Sequence, residues 1–269
     1  MDRYAVIGYP VAQSKSPFIH ARFARQTGQA LVYDAVEAER DAFAAALRSL
    51  REQGYAGLNV TAPHKLAALE ACEALSARAQ LAGAVNTLIR TETGWRGDNT
   101  DGEGLLRDLQ RLGFAVAGRR VLVLGAGGAT RGILAPLLQQ RPRELVVSNR
   151  SPWKPEALAE AFKAFGPIRP CTHLALKGDR YDLIINATSA GHGGEMVKLP
   201  GQLLADGGDC YDLSYGKAFE PFRAWAQRQG AARVADGLGM LVEQAAAAFE
   251  LWRSVRPETA PVIEALRAA

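Results

Sequence analysis

Residues 121–132 read VLVLGAGGATRG, and this stretch decides the fold of the middle of the chain. Its first four residues are valine or leucine, which predicts a strand buried on both faces of a parallel sheet. The glycines that follow predict a tight turn, because glycine adopts backbone conformations that other residues avoid. Strand, turn and helix in this order begin an α/β unit.

The turn itself predicts a phosphate site. Glycine at Gly125, Gly127 and Gly128 lets the backbone amides of a helix N-terminus approach a dinucleotide pyrophosphate. The fingerprint is incomplete, because the third glycine of G-x-G-x-x-G would fall at Thr130. The turn alone is therefore a weak signal, which its context strengthens.

The cations after the next predicted strand favour NADP over NAD. Arg150 lies about 20 residues beyond the turn, where NAD-binding proteins carry an acidic residue that bonds the adenosine ribose. A guanidinium can hold a 2′-phosphate through charge-assisted hydrogen bonds, and Lys154 adds a second positive charge. Two solvated cations at a strand end are the alternative.

Three further strands and a helix are predicted after the turn. The strands cover residues 144–149, 183–186 and 209–213, and the helix covers 155–165. Strands that alternate with helices predict parallel pairing with right-handed crossovers.

The first hundred residues alternate short apolar runs with helical stretches, which predicts a layered α/β domain. The predicted strands cover residues 4–8, 31–36, 57–60 and 85–90. Ser16 and Pro17 predict a helix start, because serine can cap free amides and proline suits the first helical position. A later helix is expected to end at Gly54.

Two helices are predicted at the end of the chain, over residues 239–251 and 261–268. They do not continue the parallel-sheet pattern, so we expect them to return and cover the first domain. The chain of 269 residues exceeds the usual size of one hydrophobic core, which favours two domains.

Two segments, residues 57–65 (GLNVTAPHK) and 97–102 (GDNTDG), supply groups for proton transfer. Lys65 follows the hydroxyl of Thr61 by one helical turn, and Asp101 supplies a carboxylate that can meet the lysine. Hydride delivery to a ketone leaves an alkoxide that must receive a proton. We predict that Lys65 handles this proton and that Asp101 orients the lysine. A helix-start lysine and a capping aspartate are the alternative.

Further polar residues are predicted to bind a substrate. Ser14 and Ser16 present two hydroxyls beside a helix N-terminus, which suits a carboxylate; plain capping is the alternative. Thr61, Asn86 and Gln244 are candidates for bonding ring hydroxyls.

Composition and spacing exclude several other classes of protein. Hydrophobic residues make up 48% and charged residues 22%, as in an ordinary globular protein. The net charge of +4 comes from scattered cations, so we expect no nucleic-acid partner. No apolar run approaches the ~20 residues of a membrane span, and no signal peptide is evident. Three distant cysteines, and four histidines without ligand spacing, predict no metal and a cytoplasmic location.

Nine short motifs span nearly every region of the chain. They are SKSP at Ser14, NVTAPHK at Asn59, GAVNTL at Gly83, GDNTDG at Gly97, GAGGATRG at Gly125, SNR at Ser148, NATSAG at Asn186, YDLSYG at Tyr211 and DGLGMLVEQAA at Asp236. In this order they resemble the shikimate dehydrogenase family, NADP-dependent oxidoreductases of aromatic amino-acid and chorismate biosynthesis.

The resemblance implies a two-domain α/β fold with a cleft between the domains. A mixed-sheet catalytic domain that binds substrate would comprise residues 1–101 and 237–269, and a Rossmann-like NADP-binding domain would comprise residues 102–236. The implied activity is the reversible NADPH-dependent reduction of 3-dehydroshikimate to shikimate.

Residue roles also follow from the resemblance. Lys65 and Asp101 would be the catalytic pair and would contact substrate. The other substrate contacts would be Ser14, Ser16, Thr61, Asn86, Tyr215 and Gln244. NADP would be lined by Gly125, Ala126, Gly127, Gly128, Ala129, Asn149, Arg150, Ser151, Lys154, Leu213 and Gly237.

The chain departs from the usual family pattern at three positions. Ala77 stands where many relatives have an acidic residue, Lys154 where arginine is frequent, and Ser214 where a larger apolar residue is usual. We expect these departures to tune affinity without abolishing activity.

Two rival functions remain open at this point. The nearer is a quinate/shikimate dehydrogenase that uses NAD, or a shikimate dehydrogenase-like paralogue with a related polyhydroxylated acid as substrate. The more distant is a non-catalytic regulator that senses NADP. The expected partner is a small molecule, and a homodimer is compatible with the sequence.

Overall fold

The structure is a computed structural model that describes residues 1–268. Its strands form two six-stranded sheets, and the chain divides into two compact units. One unit comprises Met1–Gly104 and the chain from Leu241 onward, and the other comprises Leu105–Met240.

The first unit contains a mixed sheet. Its strands are β1 Asp2–Gly8, β2 Leu31–Glu37, β3 Tyr55–Val60, β4 Ala74–Leu75, β5 Thr87–Arg90 and β6 Trp95–Asp98. The spatial order is β2-β1-β3-β5-β6-β4. β1 pairs parallel with β2 and β3, and β6 pairs parallel with β4, whereas β5 pairs antiparallel with β3 and β6. The predicted mixed sheet is confirmed.

The helices of this unit connect and cover its sheet. They are α1 Ser16–Thr27, α2 Phe43–Glu52, α3 Lys65–Glu70, α4 Ala77–Ala82, the start of α5 Asp101–Leu112, most of α9 Leu238–Arg253, and α10 Ala260–Arg267. Phe23 of α1 packs in one buried cluster with Phe249 of α9 and Ile263 of α10. The two C-terminal helices therefore bury their apolar faces in the first unit.

α1 begins at Ser16 with Pro17 in its first turn, as predicted, but Ser16 does not cap the helix. Lys15 occupies the N-cap position without a side-chain cap, and Ser16 is the first helical residue. The serine that accepts a backbone amide is Ser14, whose Oγ lies 3.3 Å from the amide nitrogen of Ser16. Ser14 therefore satisfies one of the amides that the first turn of α1 leaves without a partner in the helix. α2 ends at Glu52 with Gln53 as its C-cap, and Gly54 follows with φ +85°, so the predicted end of this helix at Gly54 is confirmed.

The second unit contains a parallel sheet. Its strands are β7 Arg120–Leu124, β8 Glu144–Asn149, β9 Ile168–Thr172, β10 Tyr181–Asn186, β11 Leu204–Asp212 and β12 Arg233–Ala235. Their helices are α6 Gly128–Gln139, α7 Trp153–Phe162 and α8 Glu220–Arg228. The order β9-β8-β7-β10-β11-β12 is that of a dinucleotide-binding fold, with the order reversing between β7 and β10. The predicted Rossmann-like fold is confirmed.

The core of this second sheet contains the apolar run VLVL of residues 121–124. Residues 121–124 of β7 are completely buried, as the valine and leucine pattern predicts. No helix within residues 1–268 has both the length and the apolar character that a membrane crossing requires.

A buried carboxyl lies at the C-terminal edge of this sheet. Asp212 is 0% exposed and stands opposite Asn186 in the β10–β11 register. It accepts hydrogen bonds from Asn186 Nδ2 at 3.0 Å and from the Ser214 amide at 2.8 Å. Burial is the main cause that raises the pKa of Asp212 to about 6, and these hydrogen bonds only partly oppose it.

We expect Asp212→Asn to remove a pH dependence of stability. The folded-state pKa of Asp212 lies above its ordinary value of about 3.9, so the folded protein binds this proton more tightly than the unfolded chain does. The stabilisation is complete at acidic pH and is lost as the pH rises from about 4 to about 6. Two units of pKa correspond to roughly 3 kcal/mol.

The measurement is urea unfolding of both proteins from about pH 3.5 to about pH 7. The free energy of unfolding of the wild type, minus that of the variant, should fall by roughly 3 kcal/mol over this range. A difference that stays constant with pH would contradict the elevated pKa of Asp212.

Candidate functional site

Two of the predicted substrate segments leave the same edge of the mixed sheet. β1 and β3 are adjacent parallel strands, so their C-terminal ends lie side by side. The loops that follow are joined by backbone hydrogen bonds from Tyr9 N to Ala62 O at 3.1 Å and from Thr61 N to Ile7 O at 3.0 Å. Residues 14–16 and 61–65 therefore start from one edge.

Lys65 and Asp101 meet at this edge. Lys65 is the first residue of α3, and Asp101 is the first residue of α5. The Lys65 Nζ donates to Asp101 Oδ2 at 2.5 Å, and the two side chains are 18% and 8% exposed. A desolvated ion pair of this kind is geometrically restricted, and the ammonium retains two further donors. The predicted convergence of the two groups is present.

Asn86 holds the other oxygen of Asp101. Its Nδ2 donates to Asp101 Oδ1 at 2.8 Å and to Thr100 Oγ1 at 2.9 Å, and its Oδ1 accepts from the Thr100 amide at 2.8 Å. Asn86 is 2% exposed. Because both carboxylate oxygens of Asp101 have fixed donors, the side chain is held in one orientation.

Gln244 joins this group from α9. Its Oε1 lies 3.3 Å from Asn86 Nδ2 and 3.4 Å from Thr100 Oγ1, and its Nε2 donates to the Leu241 carbonyl at 2.8 Å. A residue 158 positions from Asn86 in the chain therefore takes part in the same cluster. The C-terminal helix thus contributes a side chain to the site.

The predicted carboxylate-binding serines follow β1, with Ser14 in the loop and Ser16 at the first position of α1. Ser14 is half-buried and Ser16 is buried at 5% exposure. Behind Ser16 lies Tyr33 of β2, whose hydroxyl donates to Asn59 Oδ1 at 2.7 Å. Burial raises the pKa of Tyr33 well above its ordinary value, and a hydrogen bond with Ser16 partly opposes this. Tyr33 is therefore neutral and can support Ser16.

Tyr215 belongs to the other compact unit. It follows β11 and forms the N-cap of a short 3₁₀ turn at Gly216–Phe219. All of the predicted cofactor residues lie in that unit as well. The remaining predicted substrate residues belong to the first unit.

The glycine turn after β7 has the shape that a phosphate loop requires. Gly125 has φ +102°, and a Cβ there would lie 2.9 Å from the Ala187 carbonyl oxygen. Both features require glycine. Thr130, at the position of the missing third glycine, donates its hydroxyl to the Gly125 carbonyl at 3.0 Å. The threonine closes the turn by a hydrogen bond.

The N-terminus of α6 is open in front of this turn. A Cβ on Gly127 or Gly128 would meet no atom within 4 Å. Gly127 is the N-cap of α6 and provides no side-chain cap, so the first amides of this 12-residue helix are free to bind an anion. Ala126 and Ala129, which flank this position, add no side chain larger than a methyl group.

The cations predicted to bind a 2′-phosphate stand at the end of β8. Arg150 and Lys154 are exposed, and neither forms an ion pair with a carboxylate of residues 1–268. Lys154 Nζ lies 5.3 Å from the centre of the Trp153 ring. Asn149 donates through Nδ2 to the Ser151 carbonyl at 3.3 Å, which shapes the turn that carries both cations.

The last two predicted cofactor residues approach each other after β11. A Cβ on Gly237 would lie 2.2 Å from the Leu213 carbonyl oxygen, so only glycine allows this backbone contact. The Gly237 amide also donates to the Ser214 carbonyl at 2.9 Å. The segments at 213 and 237 are therefore held together at the C-terminal edge of the parallel sheet.

Several residues that support Asp101 were missed by the sequence analysis. Asn99 accepts the Asp101 amide at 3.1 Å, and Asp98 accepts the Asn99 amide at 2.7 Å. Asp98 is in turn bound by Ser76 and Arg78. Asn99 and Asp98 lie within the quoted GDNTDG motif, which could have indicated them. Arg78 has no comparable signal.

His20 and His64 are buried and pack against aromatic rings. His20 is completely buried and stacks on Tyr33, with ring centres 4.1 Å apart. Burial is the main cause that lowers the pKa of His20 to about 3, so its ring is neutral. His64 is buried against Phe43. Residues 1–268 contain no group of three or more histidine, cysteine or acidic side chains arranged to hold a metal ion.

Comparison with known families identifies all three parts of the chain. Residues 6–88 match a family described as the shikimate dehydrogenase substrate binding domain, residues 108–193 match shikimate / quinate 5-dehydrogenase, and residues 237–267 match the shikimate 5′-dehydrogenase C-terminal domain.

Whole-chain comparisons agree with these matches. The chain is 53% identical to shikimate dehydrogenase (NADP(+)) of Methylococcus capsulatus, over 99% of this chain and 96% of the relative. A crystal structure of an Ael1 enzyme from Pseudomonas putida is 46% identical with a TM-score of 0.91, covering 99% of this chain and 98% of that one. Shikimate 5-dehydrogenase from Thermus thermophilus, crystallised with NADP(H) and shikimate, is 35% identical with a TM-score of 0.85, covering 100% and 99%. The protein therefore belongs to the shikimate dehydrogenase family.

Proposed function

We propose that this protein catalyses the reversible reduction of 3-dehydroshikimate to shikimate with NADPH. The observation that carries the proposal is the Lys65–Asp101 pair, fixed by Asn86 in a chain 53% identical to an NADP-dependent shikimate dehydrogenase. This reaction is an oxidoreduction of a CH–OH group, and its product serves aromatic amino-acid and chorismate biosynthesis.

The residues of the second unit fit NADP. The turn between β7 and α6 leaves Gly127 and Gly128 open to a pyrophosphate, while the free amides of α6 provide donors. Arg150 and Lys154 provide charge for a 2′-phosphate, and Arg150 can bind it in a bidentate manner. When bound, the nicotinamide accepts or supplies the hydride of the reaction.

Lys65 is the group that we assign to proton transfer. In the reducing direction its ammonium donates a proton to the oxygen that was the ketone, and in the oxidising direction its amine accepts the hydroxyl proton. Asp101 holds the lysine at 2.5 Å and is itself held by Asn86, so the ammonium needs little reorganisation during the reaction. Asp101 also carries an oxygen suited to accept a substrate hydroxyl.

The other predicted contacts define the substrate. Ser14 and Ser16 are assigned to the carboxylate, because two hydroxyls beside the N-terminus of α1 favour a negative charge. Thr61 and Gln244 are assigned to ring hydroxyls, because Thr61 lies four residues before Lys65 in the loop after β3 and Gln244 contacts Asn86, which binds Asp101. Tyr215 is assigned to the substrate by family resemblance. A carboxylate and several hydroxyls on one small ring are the chemistry that such a set recognises.

A second candidate is oxidation of quinate as well as shikimate. The description of the family matched by residues 108–193 names both shikimate and quinate, and this observation favours the second candidate. Absorbance of the reduced nicotinamide, followed with shikimate and with quinate and with NADP and NAD, separates the candidates. Comparable catalytic efficiency with both acids would establish the broader activity.

We propose a cytoplasmic location. The three cysteines, Cys72, Cys171 and Cys210, are free thiols. Burial raises the pKa of Cys72 and of Cys210 to about 12, so both remain protonated. Free and unreactive thiols are typical of proteins in a reducing compartment.

We expect Lys65→Ala to lower kcat by roughly 10²- to 10⁴-fold, because the variant loses its positioned proton donor. Binding of shikimate, measured by calorimetry, should change much less, because the serines, Asn86 and Gln244 remain. Lys163→Ala is the matched control, since Lys163 is an exposed lysine paired only with Glu160. Near-normal turnover of Lys65→Ala would remove Lys65 from this role.

We expect Arg150→Ala to lose much of its preference for NADP. The loss should appear as a fall in kcat/KM with NADP of about ten- to a hundredfold and little change with NAD, because only NADP carries the 2′-phosphate. Arg223→Ala, which removes an exposed arginine paired with Glu220 on α8, is the control. An unchanged cofactor preference in Arg150→Ala contradicts the assignment.

We expect Gly127→Val to block the cofactor without unfolding the protein. Gly127 has φ −101°, which valine accepts, and a Cβ there meets no protein atom within 4 Å. The added side chain would instead occupy the space assigned to the pyrophosphate. Affinity for NADP, measured by fluorescence titration, should fall at least roughly tenfold, whereas affinity for shikimate and the melting temperature stay close to wild type. Normal NADP affinity would place the pyrophosphate elsewhere.

A further inference from the structure

Arg78 is bound to a buried carboxylate close to the catalytic pair. It is the second residue of α4, and its Nε donates to Asp98 Oδ1 at 2.6 Å while its Nη2 donates to Oδ2 at 3.2 Å. The Asp98 side chain is only 6% exposed, against 38% for Arg78. Two parallel contacts fix the plane of the carboxylate as well as its distance.

A chain of hydrogen bonds runs from Asp98 to Asp101. Asp98 Oδ1 accepts the amide of Asn99 at 2.7 Å, and Asn99 Oδ1 accepts the amide of Asp101 at 3.1 Å. Asn99 is also anchored through Nδ2 to the Ala84 carbonyl at 2.9 Å. The backbone amide of Asp101 is therefore connected to Asp98 through Asn99. The orientation of Asp98 is set by Arg78.

We propose that Arg78 is a positioning residue for the proton-transfer pair, acting through Asp98 and Asn99 on the carboxylate of Asp101. The inference rests on the proposed function, because it takes Lys65 and Asp101 as the reacting pair. Among residues 1–268, Arg78 forms no hydrogen bond or ion pair with Lys65 or Asp101.

Arg78 favours the ionised form of Asp98. Burial of Asp98 is the largest single influence and acts to raise its pKa, but the hydrogen bonds from Arg78 and Ser76 together bring the pKa below its ordinary value. The charged groups around Asp98 are Arg78 of α4 and Glu103 of α5, with Arg256 bound to Glu103. Removal of Arg78 takes away the only cation that contacts Asp98 among the described residues.

The same arginine has a second contact that supplies a control. Arg78 Nη1 donates to Glu103 Oε2 at 2.8 Å, and Arg256 Nη1 donates to the other oxygen of Glu103 at 2.7 Å. Arg256→Met removes an arginine from Glu103 and leaves the Arg78–Asp98 contact in place. The two variants therefore separate a general loss of ion pairs from the specific loss at Asp98.

The test uses Arg78→Met and Arg256→Met in the complete protein, assayed for reduction of 3-dehydroshikimate. We expect kcat of Arg78→Met to fall by about ten- to a hundredfold, with KM changed by less than about threefold, because small misplacement of a reacting group costs turnover. Arg256→Met should keep the wild-type kcat. Equal kcat values in the two variants would overturn the inference.

The pH profile supplies a readout that a purely structural role would not change. In the reducing direction the acidic limb reports the groups that must stay ionised. In Arg78→Met this limb should move to higher pH, because Asp98 has lost its cation and takes up a proton sooner. Arg78→Lys should restore part of the shift. An acidic limb identical to that of the wild type would overturn the inference.

A double variant keeps the test decisive if Arg78→Met is unstable. Arg78→Met with Asp98→Asn leaves no unpaired buried charge, and it should lower kcat no more than Asp98→Asn alone, because both changes break the same link. Additive losses would show that Arg78 does not act through Asp98. If the wild type reduces 3-dehydroshikimate and Lys65→Ala does not, a normal Arg78→Met disproves this inference alone. An inactive wild type, or an active Lys65→Ala, would disprove the proposed function.

Discussion

The proposed substrate site depends on the side-chain amide of Asn86. This one group donates to Asp101 and to Thr100, accepts the Thr100 amide, and lies 3.3 Å from Gln244. The asparagine amide carries two donor hydrogens and an acceptor oxygen on one short planar group, which is what these partners require. An aspartate would repel Asp101, and an apolar side chain would leave the buried Thr100 amide without an acceptor. The beginning of α5, the beginning of β5 and the middle of α9 are therefore joined at a single residue.

Apolar runs predicted the four central strands of the parallel sheet but not its two edge strands. The strand predicted at 144–149 has the bounds that the structure shows, because a buried parallel strand carries a continuous apolar pattern. β9 was missed because Arg169 and Pro170 interrupt its pattern at the sheet edge, and β12 was missed because it has only three residues. Edge strands are partly solvated, so their sequences lack the alternation or the run that indicates a strand.

In the site, too, some residues could be predicted from local sequence, whereas others depend on long-range pairing. Lys65, Asp101 and Asn86 could be predicted because each lies in a short motif whose residue types suit the chemistry. Arg78 could not, because its role follows from the pairing of β4 with β6, which brings α4 next to Asp98 across 20 residues of chain. Thr130 was interpreted as a defect in the glycine fingerprint, yet its hydroxyl closes the turn at the Gly125 carbonyl. A sequence motif does not show that a threonine hydrogen bond can replace the close packing that the third glycine normally allows.

The two units distribute charge in opposite ways, and this contrast explains how each can meet its ligand. In the first unit two cations near Asp101 are already paired, Lys65 with Asp101 and Arg78 with Asp98. Paired and buried groups are oriented before substrate arrives, so little reorganisation is left for the reaction. In the second unit Arg150 and Lys154 are exposed and have no carboxylate partner among residues 1–268. Such cations do not have to break an existing ion pair when they bind an anion, and their long-range field attracts it. The net charge of +4 therefore matters less for ligand binding than the positions of the unpaired cations.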